Sequence, residues 1–326
     1  MKPPEAPTPK IRTQWYLLWS VLLFLGLAIS GILYQDYLRI EKEASATLSF
    51  RSVSGGHDLQ RRLESLNTAL NGLRRDTQFF KTAPHGLEIA NRQMKALTES
   101  LEGVRTLALF DAAGTMIASS RPEIVGQNFA DRAYFTRPRA ENNPSRLYVS
   151  APFKTILGVY SVILSKSLVD VNGEFAGIVT ATLAPEDFSN ILEGIRESPD
   201  AFAGIVHDSG QVFLFAPTSV ALPTSDIARM GSVFTDHKKS GLATSVQTIF
   251  NTYTQAKRLV VMTTVQPAAL AMDHSLTVTV SRDIGHIFSQ WRKQAYLATS
   301  IFLGLSLFSI LSLRLYQRRL HDLGRI

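Results

Sequence analysis

The chain contains two uninterrupted apolar runs, one near each end, and neither run carries a charged residue. The runs cover residues 15–34 and 294–313, and each is 20 residues long. A helix of about 20 apolar residues is long enough to cross roughly 30 Å of hydrocarbon. The sequence therefore predicts two transmembrane helices. The alternative for the first run is a cleaved signal peptide, but the run exceeds the usual apolar core of a signal and no small-x-small cleavage site follows it.

The basic residues identify the side of the membrane on which the two tails lie. The chain has 326 residues and a formal net charge of +7. Residues 1–14 and 314–326 together hold seven basic and two acidic residues, so they account for five of the seven excess charges. Basic flanks of membrane helices stay in the cytoplasm. We therefore expect both termini in the cytoplasm of a bacterium, with the spans in the inner membrane and residues 35–293 in the periplasm.

The loop between the two spans is a soluble body of 259 residues. It is long enough for one large or two medium domains with a hydrophobic core. Its small net charge argues against a surface for nucleic acid, because proteins that bind nucleic acid carry a concentrated basic patch. We expect no nucleic-acid partner.

The residue types that carry common enzyme chemistry are missing or badly spaced. The chain has no cysteine, which excludes disulfides, cysteine metal sites and thiol catalysis. Three of the seven histidines adjoin an acidic residue, at positions 207, 237 and 274, but none has a zinc-site spacing. We expect these histidines on the surface or in turns. No serine nucleophile motif or phosphate-binding loop is present, so the sequence predicts no enzyme activity, no metal and no cofactor.

A heptad pattern of leucines follows the first span. Five leucines recur at spacings of 4, 3, 4 and 3, namely Leu59, Leu63, Leu66, Leu70 and Leu73. The pattern predicts an amphipathic helix, with a break before it at Gly55-Gly56. The leucine seam either packs along its own domain or also pairs with a second chain, which would make the protein a homodimer. A second helix is expected after Pro84.

From residue 104 the sequence pattern becomes typical of β-strands, and the same type of β-hairpin occurs twice. Residues 104–110 and 115–119 flank an Asp-Ala-Ala-Gly turn, and residues 201–207 and 211–216 flank an Asp-Ser-Gly turn. The sequence predicts an α+β fold with two antiparallel-sheet modules, 104–184 and 185–293, preceded by stalk and domain helices at 35–103. Further strands are expected at 147–153, 160–169, 175–183, 258–265 and 276–282, with a connecting helix at 185–198.

These segments resemble the double Cache family of PAS-like extracytoplasmic sensor domains, which precede bacterial diguanylate cyclases, sensor histidine kinases and chemoreceptors. The resemblance spans residues 40–293 and rests on the segments LALFDAAGTMIAS, GQNFADRAYF, RLYVSAP, DVNGEFAGIVTATL and VTVSRDIGHIFSQWRK. It implies that module 104–184 is the membrane-distal one and holds a pocket for a small ligand. It also implies that the long first helix runs from the membrane up to that module.

The chain matches only part of the pattern by which the amino-acid-binding branch of that family clamps its ligand. Arg132 stands at the arginine position and Tyr134 at the tryptophan position. Gln127, Phe135 and Pro138 occupy the tyrosine, second aromatic and aspartate positions. The arginine fork suits a carboxylate, whereas an ammonium would find no carboxylate partner. The resemblance therefore favours a small organic acid over an α-amino acid.

The remaining candidate site residues come from later strands. Thr182 stands where the family has a second aspartate, and Tyr148 and Tyr160 lie in strands expected to face the same cavity. The ligand-binding set is thus Arg132, Tyr134, Phe135, Tyr148, Tyr160 and Thr182. For Arg132 the alternative is a structural pairing with Asp131 or a loop carbonyl, and for the aromatic residues it is burial in the core.

Together these features predict a two-pass membrane receptor that binds a small solute outside and signals inside. Only 13 residues follow the second span, too few for a catalytic domain. We expect either a separate cytoplasmic or membrane output protein as partner, or a truncated sensor half of a diguanylate cyclase or histidine kinase. The rival interpretation is an envelope structural or assembly protein, which a distal module without a pocket would favour.

Overall fold

The computed structural model describes residues 9–156, 158, 160–217, 232–251 and 255–323. The chain divides into two units, Met1–Ala44 with Ile284–Ile326, and Ser45–Asp283. The helices are α1 Pro9–Thr82, α2 Gly86–Ser100, α3 Ala133–Glu141, α4 Pro185–Ile195, α5 Val233–Ser240, α6 Ile284–Ile287 and α7 Ser289–Leu323. The strands are β1 Val104–Phe110, β2 Met116–Ser119, β3 Tyr148–Val149, β4 Phe153–Lys154, β5 Tyr160–Ser161, β6 Ile163–Val169, β7 Phe175–Leu183, β8 Phe202–His207, β9 Val212–Ala216, β10 Thr244–Asn251, β11 Ala256–Val265 and β12 Leu276–Asp283.

The first unit contains the two apolar runs as helical segments, one at the start of α1 and one in α7. Both helices are long and apolar enough to cross a membrane, and their apolar stretches are not buried within the protein. The segments pack antiparallel. The indole nitrogen of Trp15 donates to the Gln317 side chain at 3.1 Å, and that of Trp291 donates to the Leu33 carbonyl at 2.9 Å. Gly26 allows close approach, because a Cβ there would lie 3.2 Å from the Phe302 ring.

The second unit, residues 45–283, is built on two five-stranded antiparallel sheets. The first sheet has the strand order β2-β1-β7-β6-β3, the second sheet has the order β10-β11-β12-β8-β9, and β4 pairs with β5 in a small hairpin. The predicted α+β class and the repeated sheet are therefore confirmed. Helices α3 and α5 and strand β10 were not predicted. Helix α3 was difficult to predict because it contains Pro138, and proline ordinarily argues against a helix interior.

The leucine seam of α1 is buried inside its own unit. Each of its five leucines is at most 1% exposed. The packing interpretation is confirmed, and these side chains have no exposed surface left with which to pair with a second chain.

The break predicted at Gly55-Gly56 is wrong, because α1 continues through both residues. The glycines serve packing instead. A Cβ on Gly55 would lie 3.0 Å from Ile195, and one on Gly56 would lie 3.3 Å from Thr263. Their missing side chains let the helix approach α4 and the second sheet closely, which outweighs the low helix propensity of glycine.

Candidate functional site

A cavity of about 50 Å³ lies on one face of the first sheet. Strands β1, β2, β6 and β7, the loop before α3, the start of α3 and the segment around β4 all contribute side chains to it. The lining residues are Arg105, Thr106, Ala108, Phe110, Met116, Ile124, Phe129, Arg132, Tyr134, Phe153, Thr155, Ile156, Ile163, Thr180 and Thr182. A cavity needs about 10–15 Å³ per water, so this one has room for roughly three to five water-sized groups.

Helix α3 is held on that sheet face by two serines of β6. Proline at position 138 has no N–H, so the carbonyl of Tyr134 loses its helical partner. The hydroxyl of Ser165 replaces it and donates to that carbonyl at 3.0 Å, while the hydroxyl of Ser167 donates to the Pro138 carbonyl at 3.0 Å. The proline and the serines together anchor the helix that begins just after Arg132 and carries Tyr134.

The loop that leads into α3 is fixed by backbone contacts with the β1–β2 turn. The amide of Met116 donates to the Gln127 carbonyl at 2.9 Å, and the amide of Phe129 donates to the Gly114 carbonyl at 2.8 Å. Gly114 has φ +86°, and a Cβ there would come within 2.7 Å of Ala130. Glycine is thus required for the loop to lie this close, and the loop places Arg132 at the cavity.

Three of the six predicted site residues line the cavity, namely Arg132, Tyr134 and Thr182. The ring of Tyr134 stacks on Phe153 with centroids 5.7 Å apart. Burial raises the pKa of Tyr134, and the positive charge of Arg132 offsets part of that rise. The Arg132 side chain is 44% exposed, and its Nε lies 3.9 Å from a carboxylate oxygen of Asp131. So distant and exposed a pair contributes little, which leaves the guanidinium able to bind an anion at the cavity edge.

The other three predicted residues lie outside the lining. Phe135 is fully buried in the core, where it packs edge-on against Phe110 and Phe175. Tyr148 is buried too, and its hydroxyl accepts from the amide of Asn143, beyond the opposite end of α3 from Arg132.

Tyr160 is 37% exposed on the small hairpin. It pairs with Lys154, whereas Ser161 pairs with the cavity-lining Phe153. Because neighbouring residues on a strand face opposite sides, Tyr160 points away from the cavity.

Sequence reasoning missed the polar residues of β1 and of the segment after β4. Arg105 and Thr106 come from β1, Thr155 follows β4, and Thr180 comes from β7. The detectable signal was the polar pair Arg105-Thr106 in the otherwise apolar run VRTLALF. Among the lining residues that the structure describes there is no carboxylate.

The histidines expected on the surface are placed differently. His207 and His237 are each 1% exposed, so neither lies on the surface. His207 begins the turn between β8 and β9, where its carbonyl accepts from the Gly210 amide at 2.8 Å. His237 lies in α5, so the expectation is wrong for that residue. His237 lies between the hydroxyls of Ser245 and Thr264, at 2.7 and 2.8 Å. Hydroxyl partners satisfy a buried imidazole without charge. Within the described part of the chain no cluster of three metal-ligating side chains occurs.

His207 and His274 belong to a polar junction between the two sheets. The carboxylate of Asp273, which is 1% exposed, accepts from the Val149 amide at 2.7 Å and lies 3.1 Å from Nε of Arg137 on α3. A parallel bridge joins Leu147 to Met272 close by. The junction connects α3 and β3 of the first sheet to the loop before β12.

Solved structures with the same architecture come from extracellular sensor domains. The extracellular domain of rpHK1S-Z16, a protein described as a histidine kinase, aligns over 77% of this chain and 98% of its own length, with a TM-score of 0.65 and 22% identity. The ligand-binding domain of the amino acid chemoreceptor PctC of Pseudomonas aeruginosa PAO1, in complex with GABA, aligns over 74% and 100%, with a TM-score of 0.54 and 20% identity. That of the Pseudomonas fluorescens chemoreceptor CtaA, in complex with L-serine, aligns over 74% and 98%, with a TM-score of 0.54 and 16% identity.

No protein-family model and no curated protein matches the chain. The structural comparisons nevertheless confirm the fold that the sequence resemblance implied. The described part of residues 45–283 has the architecture of double Cache-type sensor domains found in histidine kinases and chemoreceptors.

Proposed function

We propose that this protein is a two-pass receptor of the bacterial inner membrane, with both termini in the cytoplasm and residues 35–293 in the periplasm. Its first-sheet cavity binds a small organic acid, and binding changes the signal passed to the cytoplasm. The observation that carries the proposal is the cavity itself, which combines Arg132 at its edge with a lining free of carboxylates among the described residues.

Fold and charge together support this choice of ligand. The structurally similar domains of the chemoreceptors PctC and CtaA were solved with GABA and L-serine, molecules that contain both a carboxylate and an ammonium. In this chain a guanidinium can pair with a carboxylate, but the described lining offers no anion to an ammonium. The same chemistry favours an acid without an amino group.

Helix α3 offers a route from the cavity to the second sheet. It carries Tyr134 at its start, and one turn later Arg137, whose Nε lies 3.1 Å from Asp273. A ligand that binds two positions of α3 with different affinity shifts their populations. Displacement of α3 changes the Arg137 contact, so the second sheet is coupled to the cavity.

The test is a thermal-shift screen of short carboxylates and amino acids on the full chain in lipid nanodiscs. A ligand at 100 times its Kd adds about 2.7 kcal/mol, which corresponds to about 5–11 °C for a domain of this size. We expect such a rise with a short carboxylate, and we expect Arg132→Ala to remove it.

Arg139→Ala is the matched control, since Arg139 is an exposed arginine on α3, the helix that follows Arg132. It should keep the full response. If no compound raises the melting temperature, or if Arg132→Ala responds like the wild type, the proposed binding function is wrong.

A second candidate is the sensor part of a histidine kinase, and the comparison with rpHK1S-Z16 favours it. That domain has a higher TM-score, 0.65, than the two chemoreceptor domains, each at 0.54. Reading the gene past Ile326 tests this candidate. A kinase domain in the same frame would support it, and a stop codon there would leave a separate output protein. A first module without a pocket would have favoured the alternative interpretation, an envelope structural or assembly protein. This module has a pocket.

A further inference from the structure

Arg105 reaches the cavity because β1 contains a bulge at that position. Val104 pairs with Leu183 and Thr106 pairs with Thr182, so the two steps along β1 oppose a single step along β7. The extra residue is Arg105. A bulge turns a side chain away from the regular alternation, and this one puts Arg105 and Thr106 on the cavity together.

Three buried polar atoms of the cavity residues have no hydrogen-bond partner among the described residues. They are Nε of Arg105, Oγ1 of Thr106 and Oγ1 of Thr155. Buried polar groups are almost always hydrogen-bonded, and each exception calls for an explanation. Three such atoms around one small cavity are explained together by a polar ligand.

The unpaired N–H of Arg105 and the absence of a carboxylate from the described lining indicate a ligand with a strong acceptor, and a carboxylate is the strongest such group. The far end of the Arg105 guanidinium forms an ion pair with Glu186, which is not a lining residue, whereas its Nε is buried without a partner among the described residues. An N–H of a guanidinium can only donate, so its partner is an acceptor. The two threonine hydroxyls donate or accept and suit a neutral oxygen. The rest of the lining includes apolar side chains such as Ala108 and Ile163.

We propose that Arg105 is the residue that binds the ligand's carboxylate inside the cavity, and that the ligand is a 2-hydroxy or 2-oxo acid of two or three carbons. Thr106 and Thr155 hydrogen-bond its oxygen atoms, and Arg132 closes the cavity edge. The size follows from the volume of about 50 Å³. This inference rests on the proposed function, since it names the ligand class and the specificity-determining residues of the same site.

The experiment is calorimetric titration of the full chain in nanodiscs with L-lactate, pyruvate, acetate and L-alanine. L-Alanine has the size of L-lactate but carries an ammonium in place of the hydroxyl. We expect L-lactate or pyruvate to bind at least tenfold more tightly than L-alanine and acetate. Equal binding of L-alanine would overturn the inference.

The variants separate Arg105 from its surroundings. Arg105→Gln should weaken binding by about 10- to 100-fold, because it removes a hydrogen bond to a charged group. Glu186→Gln removes the ion pair but keeps Nε, so it should bind nearly as the wild type does. Unchanged binding by Arg105→Gln would overturn the inference.

Thr106→Val provides a variant that should fold normally. It keeps the side-chain shape and removes a hydroxyl that has no partner, so the unliganded protein should be as stable as the wild type or more stable. Binding of the acid should nevertheless fall severalfold. A Thr106→Val protein that binds the acid as tightly as the wild type would contradict the proposal.

The failure of this inference can be distinguished from failure of the receptor function. If a different solute binds in a way that depends on Arg132 but not on Arg105, the inference is wrong and the receptor function stands. If none of the screened compounds binds, both are wrong.

Discussion

His207 sits at the junction of the two sheets, and the backbone groups that it contacts suit the neutral imidazole. Nδ1 accepts from the Ser209 amide at 3.1 Å, and Nε2 donates to the Val149 carbonyl at 3.3 Å. Burial lowers the pKa of His207 to about 4, and the neighbouring His274 adds to the lowering. Protonation would place a hydrogen on Nδ1 and remove its capacity to accept. We therefore expect acid to weaken this junction.

The size of the effect follows from the pKa difference. The ordinary value is 6.5 and the folded value is about 4. Between these values the unfolded chain binds a proton that the folded chain does not, so stability falls as the pH falls through this window. The full difference is about 3 kcal/mol, of which about 2 kcal/mol is lost between pH 7 and pH 5. For a domain of this size that is about 4–8 °C in melting temperature.

The assay is thermal unfolding of the full chain in nanodiscs at pH 7 and pH 5, for the wild type and His207→Gln. Other groups titrate in both proteins, so the measured quantity is the difference between their two pH-dependent shifts. The wild type should lose about 4–8 °C more than the variant. His57→Gln, on an exposed position of α1, is the control and should follow the wild type. If His207→Gln loses as much as the wild type on acidification, the reasoning about the buried neutral imidazole is refuted.

Two further predictions concern the first sheet, and the second of them has a control substitution. Burial lowers the pKa of Lys166 to about 8, so stability should rise as the pH rises from 8 to 10.5, and Lys166→Met should remove that rise in urea unfolding. The variant should be about 1 kcal/mol more stable at pH 7, because release from the buried charge outweighs the lost hydrogen bond to Ser145. Gly177→Ala should cost about 2–4 kcal/mol, since φ is +126° and a Cβ would overlap the Phe110 carbonyl. Gly173→Ala, with φ +83° and open space around it, should cost about 1 kcal/mol in the same assay; equal losses would contradict the steric argument.

The elements with strong periodicity were predictable from the sequence. The leucine seam and the two apolar runs all lie in helices, and the twice-repeated hairpin corresponds to β1–β2 and β8–β9. These signals are local, because each comes from residues a few positions apart. The predicted helix break at Gly55-Gly56 is wrong because the two glycines are required by tertiary packing, which the local sequence does not show. The side chains of Ile195 and Thr263, more than 100 positions away, decide that glycine is needed there.

The site was predictable only in part, for the same reason. Arg132 and Tyr134 belong to one short segment that the resemblance identified. Arg105 depends on a bulge in the pairing of β1 with β7, and a single sequence does not show strand register. Thr155 lines the cavity through the small hairpin of β4 and β5, whose strands are two residues long and too short for a periodic signal.

In the receptor that we propose, α3 connects the cavity to the second sheet through two arginines, one just before the helix and one on it. Arg132 stands immediately before this nine-residue helix, at the cavity, and Arg137 lies on the helix, 3.1 Å from Asp273. Asp273 also accepts from the Val149 amide, and the Val149 carbonyl accepts from His207. One buried carboxylate thus contacts both α3 and β3. A packed helix moves as a unit, so we propose that a ligand that draws Arg132 inward changes the Arg137 contact and thereby the junction, without contacting the junction itself.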